Sequence, residues 1–172
     1  DKKNGERALL DKILNYLVLI NNKVGVDLAK KISLSKNMTI SITGLKSLCL
    51  YGSEVPLDLL NKFYIKWKDH SLVVEKWFEL MSSLNIEGKG LNFIKDLLSH
   101  ESFEYKNPNK IRSVLASFQK ENVLLFHAND SSGYDFISEQ VILIDENNPQ
   151  VAARLVLPLT RFSNYDEFRK NK

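Results

Sequence analysis

Apolar residues recur at helical spacing along most of the chain. Leu10, Ile13, Leu14 and Leu17 form one stripe with spacings of three and four residues. Such spacing places side chains on one face of an α-helix, whereas a half-buried strand would alternate every second residue. Further stripes of the same kind follow, at Val73, Trp77, Leu80, Met81, Leu84; at Leu91, Ile94, Leu98; at Val114, Leu115, Phe118; and at Ile137, Val141, Ile144. The pattern predicts a succession of amphipathic helices.

One segment is open to two interpretations. Residues 38–43 are rich in β-branched side chains, which favours a strand. Asn37 or Thr39 could instead cap a helix that runs to Cys49. We favour the helix, because a single strand would find no partner strand elsewhere in this sequence.

The breaks between stripes are short and carry residues typical of helix ends. Pro56 stands where a new helix would begin, and Asn107-Pro108 and Asn148-Pro149 each place a capping residue before a first-turn proline. Short helices joined by tight turns indicate an all-α fold, a superhelical array of stacked antiparallel helix pairs like an armadillo/HEAT α-solenoid. Because no Pro-, Ser- or Gly-rich linker interrupts the pattern, we expect one helical domain over residues 1–172.

Composition narrows the classes of partner. The 172 residues include 24 Lys+Arg and 21 Asp+Glu, a net charge of +3. That balance is too weak for a nucleic-acid-binding surface, and the apolar run at residues 17–20 is far shorter than the roughly 20 residues that cross a bilayer. We therefore expect no nucleic-acid and no membrane partner. The single cysteine fits a reducing compartment, and the cytoplasm is the predicted location.

Candidate catalytic and metal-binding residues are few. His70, His100 and His127 lie far apart and none has a histidine partner at i+4, so the sequence predicts no metal site. Residues 126–134 contain a His, an Asp and serines, which could be imagined as a hydrolytic triad. The simpler interpretation is a turn whose polar side chains satisfy backbone groups before a helix that begins near Ser132 or Gly133. Cys49 has helical spacing to Leu45 and is interpreted as a core residue.

Two arginines stand in apolar surroundings. Arg112 and Arg154 follow the two Asn-Pro caps in helices that the sequence predicts to be largely buried. A buried guanidinium must be paired, and neither arginine has a carboxylate three or four residues away. The partner is then tertiary: an acidic side chain, backbone carbonyls or a ligand carboxylate. The sequence leaves these alternatives open.

The same segments carry a resemblance to a known family. The chain resembles the C-terminal domain of bacterial-type aminopeptidase N, a family of zinc-dependent enzymes that remove N-terminal residues from peptides. The matching motifs are residues 107–113, 126–134, 148–155, 158–161 and 165–166, with residues 37–39 and 76–78 upstream in the expected order. Family members carry a glycine where this chain has Ser131, so that turn is expected to differ locally.

The resemblance implies a function for the chain as a fragment of a larger enzyme. It implies a helical domain that packs over the catalytic domain of the same polypeptide and closes the cavity above the zinc. It also implies that Arg154, Gln150 and Arg112 approach that cavity and contact a peptide substrate. The zinc motif H-E-x-x-H is not in this sequence, so we expect zinc in the parent enzyme, no cofactor held by this chain and no peptide hydrolysis by it alone.

A second interpretation belongs to a different class of function. Helical-repeat proteins commonly bind other proteins, and a free-standing interaction module is the alternative. A domain detached from its enzyme should instead expose an apolar patch where the rest of the protein docks. Exposed apolar side chains are therefore the structural feature to look for.

Overall fold

The computed structural model describes residues 4–171, except for the side chain of residue 162, and throughout that range it contains helices and turns but no strand. The predicted all-α fold is confirmed. No helix in the described range is long and apolar enough to cross a membrane. The chain divides into two compact units, and the boundary along the sequence lies between Leu84 and Asn85. The expectation of one domain over residues 1–172 stays a prediction.

The unit that ends at Leu84 is built from five helices within its described part, starting with α1 (Asn4–Leu19) and α2 (Lys23–Ser33). The others are α3 (Met38–Tyr51), α4 (Leu57–Trp67) and α5 (Ser71–Ser82). Residues 38–43, where a strand was the alternative, are therefore helical. The reason is the cap: Asn37 Oδ1 accepts a hydrogen bond from the amide of Ile40 at 3.1 Å.

The core of this unit sits where α1, α2 and α3 pack together. Leu14, Ala29 and Leu48 are almost completely buried there. Gly44 on α3 permits the close approach of α2, because a Cβ at this position would come within 2.6 Å of the Ala29 carbonyl oxygen. The predicted stripe at residues 73–84 is buried as expected, and the indole of Trp77 donates to the Leu60 carbonyl at 3.1 Å.

The predicted stripe on α1 is only partly correct. Leu14 is fully buried, but Ile13 is 48% exposed. A step of one residue turns a helix by about 100°, so neighbouring apolar residues such as these two face different ways. α1 therefore carries apolar side chains on two sides.

The unit that begins at Asn85 consists of shorter helices. They are α6 (Gly90–Leu98), α7 (Pro108–Ile111), α8 (Ser117–Glu121), α9 (Val123–Phe126), α10 (Ser132–Asp145), α11 (Pro149–Val156) and α12 (Glu167–Lys170), with a 3₁₀ helix at Leu159–Asn164. Its core includes Phe118, which meets Phe126 and Phe136 edge to face at ring-centre distances of 5.9 and 5.8 Å. Such aromatic contacts stabilise a core beyond simple burial.

Between α7 and α8 the helix is not regular. Residues Arg112–Ala116 form a π-helical segment in which Ser113, Val114 and Leu115 are buried. The sequence predicted ordinary helix here. π-helical turns are rare and occur often at functional sites, and this one begins at one of the predicted site residues.

Candidate functional site

Helix α11 carries two of the three predicted site residues and is firmly held. Asn148 caps it by accepting from the amide of Val151 at 3.2 Å, and Pro149 fills the first turn, as predicted. Val151 and Leu155 bury one face of the helix. Near its C-terminal end, Gln119 on α8 donates through Nε2 to the Leu155 carbonyl at 2.9 Å. The buried face and both ends of α11 are therefore fixed.

The opposite face of α11 points to solvent and holds Gln150 and Arg154. Both side chains are exposed, and a spacing of four residues places them one above the other. The expectation that Arg154 is buried is wrong. The run from Val151 to Leu157 is apolar almost all round, so its composition does not reveal that only positions 151, 152 and 155 turn inward.

The Arg154 guanidinium is free within the part of the chain that the structure describes: no hydrogen bond or ion pair engages it there. Because Arg154 is exposed, its guanidinium can stay hydrated and does not need the tertiary partner that burial would require. Arg154 presents an exposed, planar guanidinium with five N–H donors. Next to it lies the side-chain amide of Gln150, which can both donate and accept a hydrogen bond. That pair of groups is suited to a carboxylate or a peptide group.

Arg112 lies in a different setting. It is the first residue of the π-helical segment, is half-buried, and donates through Nη2 to Oδ1 of Asn109. The π-helical segment packs against α11. Arg112 is thus tied to its own helix, whereas Gln150 and Arg154 share one exposed face.

A second group of polar side chains lies beside residues 126–134, and the sequence did not predict it. The Tyr134 hydroxyl lies 2.7 Å from Nδ1 of His127, and the Tyr165 ring contacts the imidazole at a ring-centre distance of 4.7 Å, tilted by 51°. Arg169 on α12 donates to the His127 carbonyl at 3.1–3.2 Å and to Asn129 Oδ1 at 2.9 Å. Asp166 accepts from the same guanidinium. We call these six residues the His127 cluster.

Burial and neighbouring charges shift the pKa values of several groups in this cluster. Burial lowers the pKa of His127, and the positive charge of Arg169 lowers it further. Burial also raises the pKa of Tyr134. The hydrogen bond from Arg169 lowers the pKa of Asp166. The cluster joins α12 to the turn after α9, and a cavity of about 290 Å³ opens beside it.

Residues 126–134 form a turn whose polar side chains satisfy backbone groups, which was the simpler of the two interpretations of this segment. Asp130 Oδ1 accepts from the amide of Ser132 at 3.0 Å, and α10 begins at Ser132. Among the described residues, no serine side chain forms a hydrogen bond with His127. Ser131 occupies the left-handed region at φ +66°, where a glycine is favoured, and its buried hydroxyl has no partner in the described structure.

Two further candidates, Cys49 as a nucleophile and a metal site, find no support in the structure of the described residues. Burial raises the pKa of Cys49 to about 12, so its thiol is not a nucleophile at neutral pH. No three His, Cys, Asp or Glu side chains come together as metal ligands anywhere between residues 4 and 171. The described residues therefore offer no donor set that fits the zinc that the resemblance implies for the parent enzyme.

Comparison with known proteins supplies the context for these residues. A family model described as "Domain of unknown function (DUF3458_C) ARM repeats" matches residues 1–172. That description agrees with the helical composition and confirms the predicted armadillo-like α-solenoid class.

Named relatives agree with the family model. Aminopeptidase N of Haemophilus influenzae is 37% identical over 166 residues, which are 95% of this chain and 19% of that protein. Aminopeptidase N of Escherichia coli is 33% identical over 170 residues, 97% of this chain and 19% of that protein. Among solved structures, Legionella pneumophila aminopeptidase A in complex with aspartic acid matches with a TM-score of 0.85 at 28% identity, over 99% of this chain and 20% of that one. The chain spans about a fifth of the length of these relatives.

Proposed function

The chain belongs to the ARM-repeat family and is a C-terminal domain of aminopeptidase N, and from this premise we propose that it closes the substrate cavity of a zinc aminopeptidase and contacts the peptide there. In this proposal the zinc and the groups that cleave the peptide lie in the catalytic domain of the same polypeptide. The contribution of this domain is to restrict access and to hold part of the substrate. A cytoplasmic location is part of the proposal.

One observation carries the proposal: an anchored helix presents, on its exposed face, an amide and a guanidinium that has no partner among the described residues. Arg154 and Gln150 are one helical turn apart, and the Gln119–Leu155 hydrogen bond fixes the helix beneath them. A guanidinium binds a carboxylate through two parallel N–H···O bonds. Of the groups on a short peptide, the C-terminal carboxylate is the anion that every substrate carries.

Gln150 and Arg112 have supporting roles. Gln150 offers both an N–H and a C=O to a peptide backbone, which is the pairing that an extended peptide needs. Arg112 adds positive charge but is already engaged by Asn109, so we assign it a longer-range, electrostatic contribution. A hydrogen bond to a charged group contributes about 1.5–3 kcal/mol, so Arg154 should dominate over Arg112.

The test is a kinetic comparison in the intact enzyme. Arg154→Ala should lower kcat/KM for di- and tripeptides by about 10- to 100-fold, the factor that corresponds to about 1.5–3 kcal/mol. Small amide substrates without a peptide carboxylate should be cleaved normally. Arg161→Ala is the matched control, because Arg161 is also exposed and lies in the same unit. Equal kcat/KM values for Arg154→Ala and the unmodified enzyme across short peptides would refute the assigned contact.

A further inference from the structure

The exposed face of α11 carries apolar groups as well as polar ones. At about 100° per residue, four exposed side chains fall within roughly 100° of the helix circumference: Gln150, Ala153, Arg154 and Leu157. Leu157 directly follows α11, but its backbone angles of φ −52° and ψ −41° are helical, so it continues the helical path. Its carbonyl accepts a hydrogen bond from Thr160 Oγ1 at 2.8 Å, which helps to fix this residue in place.

The direction of side chains on a helix brings Leu157 beside Arg154. Helical side chains lean toward the N-terminus of their helix, so each covers the surface over the turn before its own Cα. This direction takes the Arg154 side chain toward Gln150 and the Leu157 side chain over Ala153. Residues three apart have Cβ atoms about 5–6 Å from each other. The Ala153 methyl, the Leu157 side chain and the methylene stem of Arg154 therefore form an apolar surface next to the guanidinium, which we call the Leu157 patch.

Another exposed apolar residue of the same unit has a different setting. Ile142 on α10 is 70% exposed, compared with 57% for Leu157. One helical turn to either side of Ile142 lie Glu139 and Glu146, both exposed. Their negative charges would repel the carboxylate of a peptide. A single exposed apolar side chain is normal on a protein surface, so the neighbouring guanidinium is what distinguishes Leu157 from Ile142.

The chemistry of a peptide C-terminus connects these two groups. In the last residue of a peptide, the carboxylate and the side chain are attached to the same Cα. A carboxylate held by Arg154 therefore keeps that side chain close to the guanidinium. With the preceding peptide group directed to the Gln150 amide, the side chain is left to the opposite side, where the Leu157 patch lies. A large apolar side chain there removes apolar surface of both partners from water, whereas glycine offers none.

We propose that Leu157 is a specificity-determining residue that favours peptides with a large apolar residue at the C-terminus. This role rests on the proposed function, because the carboxylate must bind Arg154 before the side chain can reach the Leu157 patch. The ligand class is thereby narrowed from short peptides in general to short peptides that end in a residue such as leucine or phenylalanine.

The test compares two tripeptides in the intact enzyme, alanyl-alanyl-leucine and alanyl-alanyl-glycine, which differ only in the C-terminal side chain. The quantity measured is the ratio of their kcat/KM values. Leu157→Ser should reduce this ratio by about fivefold, because an apolar contact with the leucine side chain is lost. Leu157→Met should keep it, because methionine is apolar and of similar volume. Ile142→Ser is the matched control and should leave the ratio unchanged.

Three outcomes would overturn the role of Leu157: an unchanged ratio in Leu157→Ser, an equal reduction in Ile142→Ser, or a loss in Leu157→Met as large as that in Leu157→Ser. Measuring Arg154→Ala with the same two peptides separates this role from the proposed function. If Arg154→Ala lowers kcat/KM for both peptides but Leu157→Ser leaves their ratio unchanged, only the role of Leu157 fails. If Arg154→Ala lowers kcat/KM for neither peptide, the proposed function fails and the role of Leu157 with it.

Discussion

Helices α1 and α11 both leave a row of side chains in solvent, but the two rows differ in chemistry. The row on α1 is apolar, with Tyr16 69% and Leu9 61% exposed. The row on α11 holds Gln150 and Arg154, an amide and a guanidinium. Each helix is anchored by a buried face opposite, through Leu14 on α1 and Leu155 on α11. The helices are therefore alike in packing and unlike in what they present.

The difference separates two kinds of interaction. An apolar stripe gains free energy only when another surface excludes water from it, in proportion to the area covered. A guanidinium and an amide stay hydrated until a ligand with matching acceptors replaces the water. The exposed apolar row on α1 is thus suited to permanent packing, and the exposed face of α11 to exchange of small ligands.

The largest expected effect comes from comparing the two apolar sides of α1. Leu14→Ala should lower the free energy of unfolding by about 3 kcal/mol, because it leaves a cavity in a completely buried site. Leu9→Ala removes the same atoms from a side chain that is 61% exposed. It should change the free energy of unfolding of the 172-residue chain by less than about 0.5 kcal/mol.

Urea unfolding monitored by circular dichroism measures both. A loss of stability for Leu9→Ala as large as that for Leu14→Ala would mean that the apolar row on α1 is already buried in this chain.

A smaller effect is expected from the support beneath α11. Ser131 lies just before α10 at φ +66°, and its buried hydroxyl has no hydrogen-bond partner among the described residues. Helix α10 packs against α11. Ser131→Gly relieves the backbone strain and removes the orphaned hydroxyl, and it increases the freedom of the unfolded chain. The net expectation is a gain of about 1 kcal/mol, measured by thermal unfolding, with peptide selectivity unchanged. Destabilisation by this change would contradict the strain assigned to the turn.

The smallest effect concerns pH. Folding lowers the pKa of His127 from its ordinary value of 6.5, so between the lowered value and 6.5 the unfolded chain binds more protons. The free energy of unfolding should therefore fall as the pH drops from about 7 through this window. Burial also lowers the pKa of His100, although Glu101 opposes the shift.

Replacing both histidines, His100→Asn with His127→Asn, should flatten most of the pH dependence between pH 7 and 5.5. Thermal unfolding across that range is the measurement. If the stability of the double variant still falls with pH as steeply as that of the unmodified chain, groups other than these two histidines cause the pH dependence.

Much of the fold was predictable because local chemistry determines helix ends. Asn37, Asn107 and Asn148 cap helices as their positions in the sequence predicted. The helical assignment of residues 38–43 was correct for the same reason. The π-helical segment at Arg112 was not predictable, because its residues have no distinctive local pattern and its form depends on the packing around it.

The site was predicted less well, for physical reasons. In an apolar run such as residues 151–157, composition does not tell which positions turn inward, so the exposure of Arg154 was missed. The His127 cluster joins residues up to 42 apart in sequence, and the contact of Arg169 with the His127 carbonyl leaves no local signal.

The most direct test of the central claim couples Arg154 to the carboxylate of the substrate. In the intact enzyme, kcat/KM would be measured for a tripeptide and for its C-terminal amide, with the unmodified protein and with Arg154→Ala. If Arg154 binds the carboxylate, the unmodified enzyme prefers the free acid, and Arg154→Ala loses about 10-fold or more of that preference while the amide is nearly unaffected. Equal losses for both substrates, or none, would contradict the assignment of the exposed face of α11 to peptide binding.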